Sequence, residues 1–249
     1  MLLPKIAALS LNVSDPIGLA AFYCDILGMQ RIGNAGLRAV GYGGEDARLE
    51  FAASADATPY RADSNDRYWK IAITLPDLDC AYRQLCARGI QVSAPNQFRD
   101  IAYMSHLADP EGNTIELIQH TFGGNTLTRR GDDALPLGGG ARLGLITLRT
   151  DDPDAEFRTC RDELGMRYLS RQDVPDFDFC LYFLAFTEET SPLPDVNAVE
   201  NRVWLWQRPY TVLEFQHRKQ GDIVHRSSGQ KGAAAVMIEN PDGRQTVLR

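Results

Sequence analysis

Cysteine is sparse and unpaired in this 249-residue sequence: Cys24, Cys80, Cys86, Cys160 and Cys180 are widely spread, odd in number and form no CxxC. That argues against a zinc knot or a disulfide framework and for reduced thiols in a cytoplasmic protein. Basic charge is short as well, with 26 Lys plus Arg against 33 Asp plus Glu and a net charge of -7. Without a cationic excess to neutralise phosphates, nucleic acid and anionic membrane surfaces fall away as partners. No apolar stretch approaches the ~18 residues of a membrane-spanning helix. The N-terminal MLLPKIAALSLNV is broken by Pro4, Ser10 and Asn12 and reads as a strand rather than a leader. What is present, 44% hydrophobic and 24% charged residues, is the composition of a folding globular chain, and its length predicts two domains.

A pattern recurs along the chain. DPIGLAAFYCDILGM, from Asp15 to Met29, returns 137 residues later as DPDAEFRTCRDELGM, from Asp152 to Met166. A looser copy, DLDCAYRQLCARG, runs from Asp77 to Gly89. Each copy has an apolar strand before it, an N-capping Asp, an amphipathic helix and a Gly where the helix must stop. Short strands separated by Gly, Asp and Pro follow, so the predicted unit is βαβββ. The polar, glycine-rich 123–140 reads as a linker between a module of two units, 1–122, and a second module, 141–249. The second half of that second module offers only strand, turn, strand (AAAVMIE, NPDG, RQTVLR), an incomplete unit. Its open sheet predicts either coverage by the first module or completion by a second chain as a homodimer.

Strand parity supplies the functional clue. Leu9, Leu11, Val13, Leu49, Phe51, Ile71, Ile73, Leu75, Ile115 and Leu117 occupy odd positions and are expected under the helices. Even positions of the same strands carry Ser10, Asn12, Arg48, Glu50, Lys70, Thr74, Thr114 and Glu116, a polar set for the concave face of a curved sheet.

In LSLNVSDPIGLAAFYCDILGM, in ADPEGNTIELIQ and in their echoes, the chain resembles the vicinal oxygen chelate superfamily of glyoxalase I, bleomycin-resistance proteins and extradiol dioxygenases. DVPDFDFCLYFLAF and RPYTVLEFQH make the second module look more particularly like glyoxalase I. The resemblance implies an α+β fold of tandem βαβββ units, curved mixed sheets with helices on the outer face. It also implies a divalent metal on the concave sheet, commonly held by two His and one or two Glu. Carried over residue by residue, the first-strand ligand falls on Ala8, on Lys70, on Leu145 and on Ala235, none of which suits a metal. Carboxylates persist as Glu50, Glu116 and Glu214, and Val247 takes the last slot. Lys70 is expected between Glu50 and Glu116, its ammonium in the cation's place, so no metal and no cofactor are expected.

Two functions remain open. One is a cytoplasmic protein that binds a small organic metabolite in the concave pocket. The other is a lyase or isomerase acting next to a carbonyl, metal-free or with a residual carboxylate-bound metal; metal-dependent glyoxalase I activity is disfavoured. For catalysis the candidates are Glu214 or Glu116 as base, with Lys70 or His106 as electrophilic partner. For ligand contact they are Glu50, Arg48, Tyr103, Trp204 and Trp206. The two indoles alternate with Val203 and Leu205 and are read as sharing one face of a strand, with ordinary core packing as the plainer alternative. Glu50 and Glu116 have an equally plain alternative, structural ion pairs with Lys70 or Arg48.

Overall fold

Asp15, Asp77 and Asp152 each perform the same local task. Their carboxylates accept from the backbone N–H of Gly18 (2.9 Å), Cys80 (3.0 Å) and Ala155 (3.0 Å), satisfying donors that a first helical turn leaves unpaired. The capped helices are α1 (Pro16–Asp25), α2 (Leu78–Ala87) and α3 (Pro153–Phe157), the last continuing as a π-helical turn over Arg158–Glu163. After α1 the chain reverses at Gly28, at φ 75°, where a Cβ would also meet Pro136 at 2.3 Å.

The computed structural model describes residues 3–33, 38–55, 60–218, 222–227, 229–232 and 234–249. Strands β1 (Lys5–Val13), β2 (Gln30–Arg31), β3 (Ala39–Gly41) and β4 (Arg48–Ala53) surround α1. With α2 go β5 (Tyr68–Leu75), β6 (Asn96–Phe98), β7 (Ala102–Ala108) and β8 (Thr114–Gln119). With α3 go β9 (Arg142–Thr150), β10 (Arg167–Val174), β11 (Phe179–Ala185) and β12 (Val212–Arg218), the last two separated by α4 (Val199–Leu205). A hairpin of β13 (Ala234–Glu239) and β14 (Gln245–Leu248) ends the chain.

Two curled sheets result, ordered β14-β13-β1-β4-β3-β2 and β10-β11-β12-β9-β5-β8-β7-β6. In each complete unit the first and last strands pair in parallel: β1 with β4, β5 with β8, β9 with β12. The other edge of each first strand is then free and must be paired. β5 meets β9 antiparallel, and β1 meets β13 antiparallel. The sheets therefore do not follow the division into 1–122 and 141–249. The unit around α1 shares its sheet with the C-terminal hairpin, and the unit around α2 shares its sheet with the unit around α3. The hairpin expected to need cover receives it from β1 of the same chain, which removes the open sheet that had argued for a second chain.

Leu9, Leu11, Leu49, Ile71, Ile73, Leu75 and Leu117 fall in one buried cluster with helical residues such as Leu19 and Leu85, as their odd parity predicted. A second apolar cluster, including Met104, Leu145, Phe183 and Trp206, lies on the other face of the eight-stranded sheet. Val236 and Ile238 of β13 are fully buried against β1. Removing residues 234–249 re-exposes these side chains and the β1 edge, at roughly 1.5–3 kcal/mol per aliphatic residue. A shortened chain is expected to melt several kcal/mol less stably in urea and to aggregate; an unchanged midpoint would disprove this role for the hairpin. Among the described residues no helix is long and apolar enough to cross a membrane, and the five cysteines are free.

Candidate functional site

The order β12-β9-β5-β8 puts the first and last strands of two units side by side at the middle of the larger sheet. Lys70 on β5 stands opposite Thr147 on β9, and Thr147 stands opposite Glu214 on β12. Ala72 on β5 stands between Glu116 on β8 and Leu145 on β9. Lys70 donates from Nζ to Glu116 Oε2 at 2.5 Å, and both side chains are at most 5% exposed. His106 on β7 lies opposite Glu116 and contacts Oε1 through Nε2 at 2.9 Å. A carboxylate can only accept, so Nε2 carries the hydrogen in this contact. The Lys70 ammonium also sits 4.3 Å from the centroid of the Trp69 ring, a cation–π contact.

Two carboxyls on one face of one sheet are driven apart electrostatically. Burial alone would raise both. For Glu116 the Lys70 ammonium and the His106 contact outweigh burial and hold the carboxyl down at about 2. For Glu214 burial dominates; Lys70 lowers the group only in part, the negative charge of Glu116 raises it, and the result is about 7. The Thr147 hydroxyl donates to Glu214 Oε2 at 3.2 Å, whereas the buried Oε1 has no hydrogen-bond partner. A carboxyl with one unpaired oxygen and a near-neutral pKa can exchange a proton with a bound molecule.

Above this row lies a cavity of about 210 Å³. Its walls are aromatic and aliphatic, with Phe98, Phe179, Phe183 and Trp206 beside Met104, Leu145 and Leu181 in the lining. Polar groups enter at Lys70, His106, Glu116, Glu214 and Gln172. Gln172 on β10 is fully buried, and neither its amide nitrogen nor its amide oxygen has a partner. Each such unsatisfied group costs about 1–3 kcal/mol in the folded chain. An apolar pocket with a few convergent polar groups is the usual form of a small-molecule site.

The structure brings Lys70, Glu116, His106, Glu214 and Trp206 together at this cavity and separates the other candidates from it. Glu50 and Arg48 are on β4 of the six-stranded sheet, paired with each other at 2.7 Å. Lys70 consequently lies between Glu116 and Glu214, not between Glu50 and Glu116, because β5 joins β9 and not β4. Tyr103 alternates with Met104 on β7, so it leaves by the opposite face, where its hydroxyl donates to Asp79 of α2 at 2.8 Å. Trp204 and Trp206 diverge because 199–205 is a helix: two residues there turn the side chain by about 200° rather than 360°. Trp206 is buried, donates from its indole N–H to the Ile101 carbonyl at 3.0 Å and packs edge-on against Phe183. Trp204 lies under the Arg208 guanidinium, 4.2 Å from its ring centroid.

Gln172, Thr147, Trp69 and the Phe179, Leu181, Phe183 stripe were not foreseen. The stripe was legible, since alternate residues of a strand share a face. Trp69 was not, because a register shift between Tyr68 and Lys70 breaks the alternation.

A family model for the glyoxalase/bleomycin resistance protein/dioxygenase superfamily matches residues 5–117. Glyoxalase I from Zea mays superimposes with a TM-score of 0.62 at 16% identity, covering 98% of this chain and 92% of that one. The chain belongs to the glyoxalase/bleomycin resistance protein/dioxygenase superfamily. Two smaller proteins match about half of it. The bleomycin resistance determinant encoded on the transposon Tn5 is 30% identical over 45% of this chain and 95% of its own, with a TM-score of 0.37. TnmS3, an antibiotic binding protein from Streptomyces sp. CB03234, is 25% identical over 48% and 98%, with a TM-score of 0.36.

The metal of the superfamily can be tested against this member's own donors. Its four concave-face slots in the larger sheet are Lys70, Glu116, Leu145 and Glu214. Lys70 brings a cation, Leu145 brings no lone pair, and both Glu116 oxygens are engaged by Lys70 and His106. Glu214 Oε1 is the one unpaired carboxylate oxygen among them. In the smaller sheet Ala8 and Ala235 offer nothing, and Glu50 is paired with Arg48. Among the described residues no three His, Cys, Asp or Glu side chains converge as ligands. These donors do not fit a divalent ion.

Proposed function

We propose that this superfamily member binds a small organic molecule in the cavity of the eight-stranded sheet, using the Lys70 ammonium at the position where the family resemblance implies a metal. The observation that carries the reading is the Lys70–Glu116 pair, with Lys70 seated between the two carboxyl positions, Glu116 and Glu214, of a pocket whose fourth position is Leu145. An ammonium fixed there neutralises one carboxylate and repels a second cation. Apart from His106 and Gln172 the rest of the lining is apolar, which suits a compact molecule with flat faces. The free thiols and acidic surface are consistent with a cytoplasmic carrier or sequestering protein. A homodimer is compatible with this reading.

Metal content and probe binding test this directly. Chain purified without chelator from cells supplied with zinc, iron, nickel and manganese is expected to carry well under one metal per chain by elemental analysis. A fused-bicyclic aromatic probe such as naphthalene is expected to quench tryptophan fluorescence, since Trp69 and Trp206 line the cavity. One tightly held metal per chain, removed by chelator, would refute the proposal.

Glu214 supports a second reading. Its unpaired oxygen and pKa near 7 are what a general base next to a substrate carbonyl requires, with Lys70 or His106 polarising the carbonyl oxygen. On that reading the protein is a metal-independent lyase or isomerase. Recovery of a stabilising ligand unchanged after incubation favours binding; its conversion, lost in Glu214→Gln, favours the enzyme.

A further inference from the structure

Gln172 sits in mid-strand on β10, opposite Leu181, with Phe183 and Leu169 in the same apolar cluster. A primary amide presents a donor and an acceptor side by side, and here both are buried, both are unpartnered and both belong to a residue lining the cavity. Folding has placed this edge where no side chain or backbone group among the described residues answers it. We infer that the ligand of this pocket is a neutral, flat molecule of one or two rings bearing an adjacent N–H and C=O, a lactam or carboxamide edge, and that Gln172 recognises that edge.

The inference rests on the pocket reading above and deepens it. An amide-type edge is self-complementary: one N–H to the Gln172 oxygen and one C=O to the Gln172 nitrogen satisfy both atoms at once, whichever way the amide is turned. A carboxylate would meet the amide oxygen with a second acceptor, and an alcohol would leave one of the two atoms unanswered. Neutrality follows from the charges already present. Lys70 is committed to Glu116, so an anion finds no free cation in the lining. The ring count follows from space, since 210 Å³ is below the roughly 300–1,000 Å³ of pockets for drug-sized ligands. Flatness follows from the aromatic walls: Phe98, Phe179, Phe183 and Trp206 offer ring faces and edges.

Glu214 gives the molecule a second point of attachment. From β10 to β12 is two strand spacings, and Gln172 and Glu214 are offset by two residues through their partners Leu181 and Phe183. The Cα atoms are therefore about 12 Å apart. A bicyclic molecule spans the gap left between the two side chains, with the lactam edge at Gln172 and a polar substituent reaching Glu214 Oε1.

The test compares 2-quinolone, its N-methyl derivative and naphthalene by tryptophan quenching and calorimetry on the full chain and on Gln172→Leu, with Gln172→Met as a second variant that keeps the side-chain length. For the unaltered chain, 2-quinolone is expected to bind at least about tenfold more tightly than either comparison compound. In Gln172→Leu that preference falls to about twofold or less, while naphthalene still binds and the melting temperature is unchanged or raised. Equal binding of all three probes to the unaltered chain, or a tenfold preference that survives in both variants, overturns the role of Gln172 and leaves the pocket reading standing. Failure of every aromatic probe to bind overturns both.

Discussion

Glu116→Gln is expected to lower the stability of the chain by about 3–5 kcal/mol, whereas Lys70→Met together with Glu116→Met returns most of that loss. The single change leaves a buried ammonium facing a neutral amide. The double change removes both charges and fits two flexible apolar side chains into a face already shared with Met104 and Leu145. Lys70→Met alone is also costly, because Glu116 and Glu214 then share one buried face without a cation. Urea denaturation of the unaltered chain, Lys70→Met, Glu116→Met and the double Met variant forms a complete cycle, and a coupling energy near zero would show that the pair is not the electrostatic centre of the sheet. The pH dependence has a definite sign. Glu116 is held at about 2 against an ordinary 4.5, so its contribution is fully present above pH 4.5 and is lost as the pH falls towards 2. A displacement of that size corresponds to about 3 kcal/mol, in line with the cost of breaking the pair.

Glu214→Gln is expected to act in the opposite direction and in a different pH window. Glu214 titrates near 7 in the folded chain against an ordinary 4.5, because burial outweighs the help it receives from Lys70. Above its folded pKa the native state must hold a buried carboxylate that the unfolded chain solvates freely. Below pH 4.5 both states are protonated and the penalty vanishes. The stability lost between pH 4.5 and 7 amounts to about 3 kcal/mol. Gln keeps the shape and cannot ionise, so the variant should be more stable than the unaltered chain at pH 8 by up to that amount and nearly equal to it at pH 4. Denaturation at the two pH values decides the matter: an equal increment at both would mean that Glu214 is not the group being titrated. The two glutamates thus respond oppositely to one lysine. Glu116 is in hydrogen-bond contact with it, while Glu214 feels its charge without contact and has Thr147 as its hydrogen-bond partner.

Much of the fold was legible because its signals are local. An Asp that caps a helix, a Gly that ends it and a two-residue alternation along a strand depend on a few neighbours in the chain, and α1, α2, α3 and the buried faces of β1, β4, β5 and β8 follow from them. The departures came where a longer-range choice was made. Trp204 and Trp206 were read with a strand's period because the surrounding residues are apolar at short range, and the helix over 199–205 is held by tertiary contacts, Trp206 on the Ile101 carbonyl and the Asn201 amide on the Leu193 and Asp195 carbonyls.

Which residues could be polar and concave was decided by parity alone, whereas the exclusion of imidazole from the first-strand positions Ala8, Lys70, Leu145 and Ala235 came from carrying the ligand slots that the family resemblance implies onto this sequence. Which of those residues meet was decided only by the pairing of β5 with β9 and of β1 with β13. Every first strand has the same free edge and the same apolar pattern, so nothing local states which two will join. That single choice moves Glu50 to another sheet, brings Glu214 within reach of the Lys70 charge, and folds Gln172 into an apolar wall with its amide unanswered.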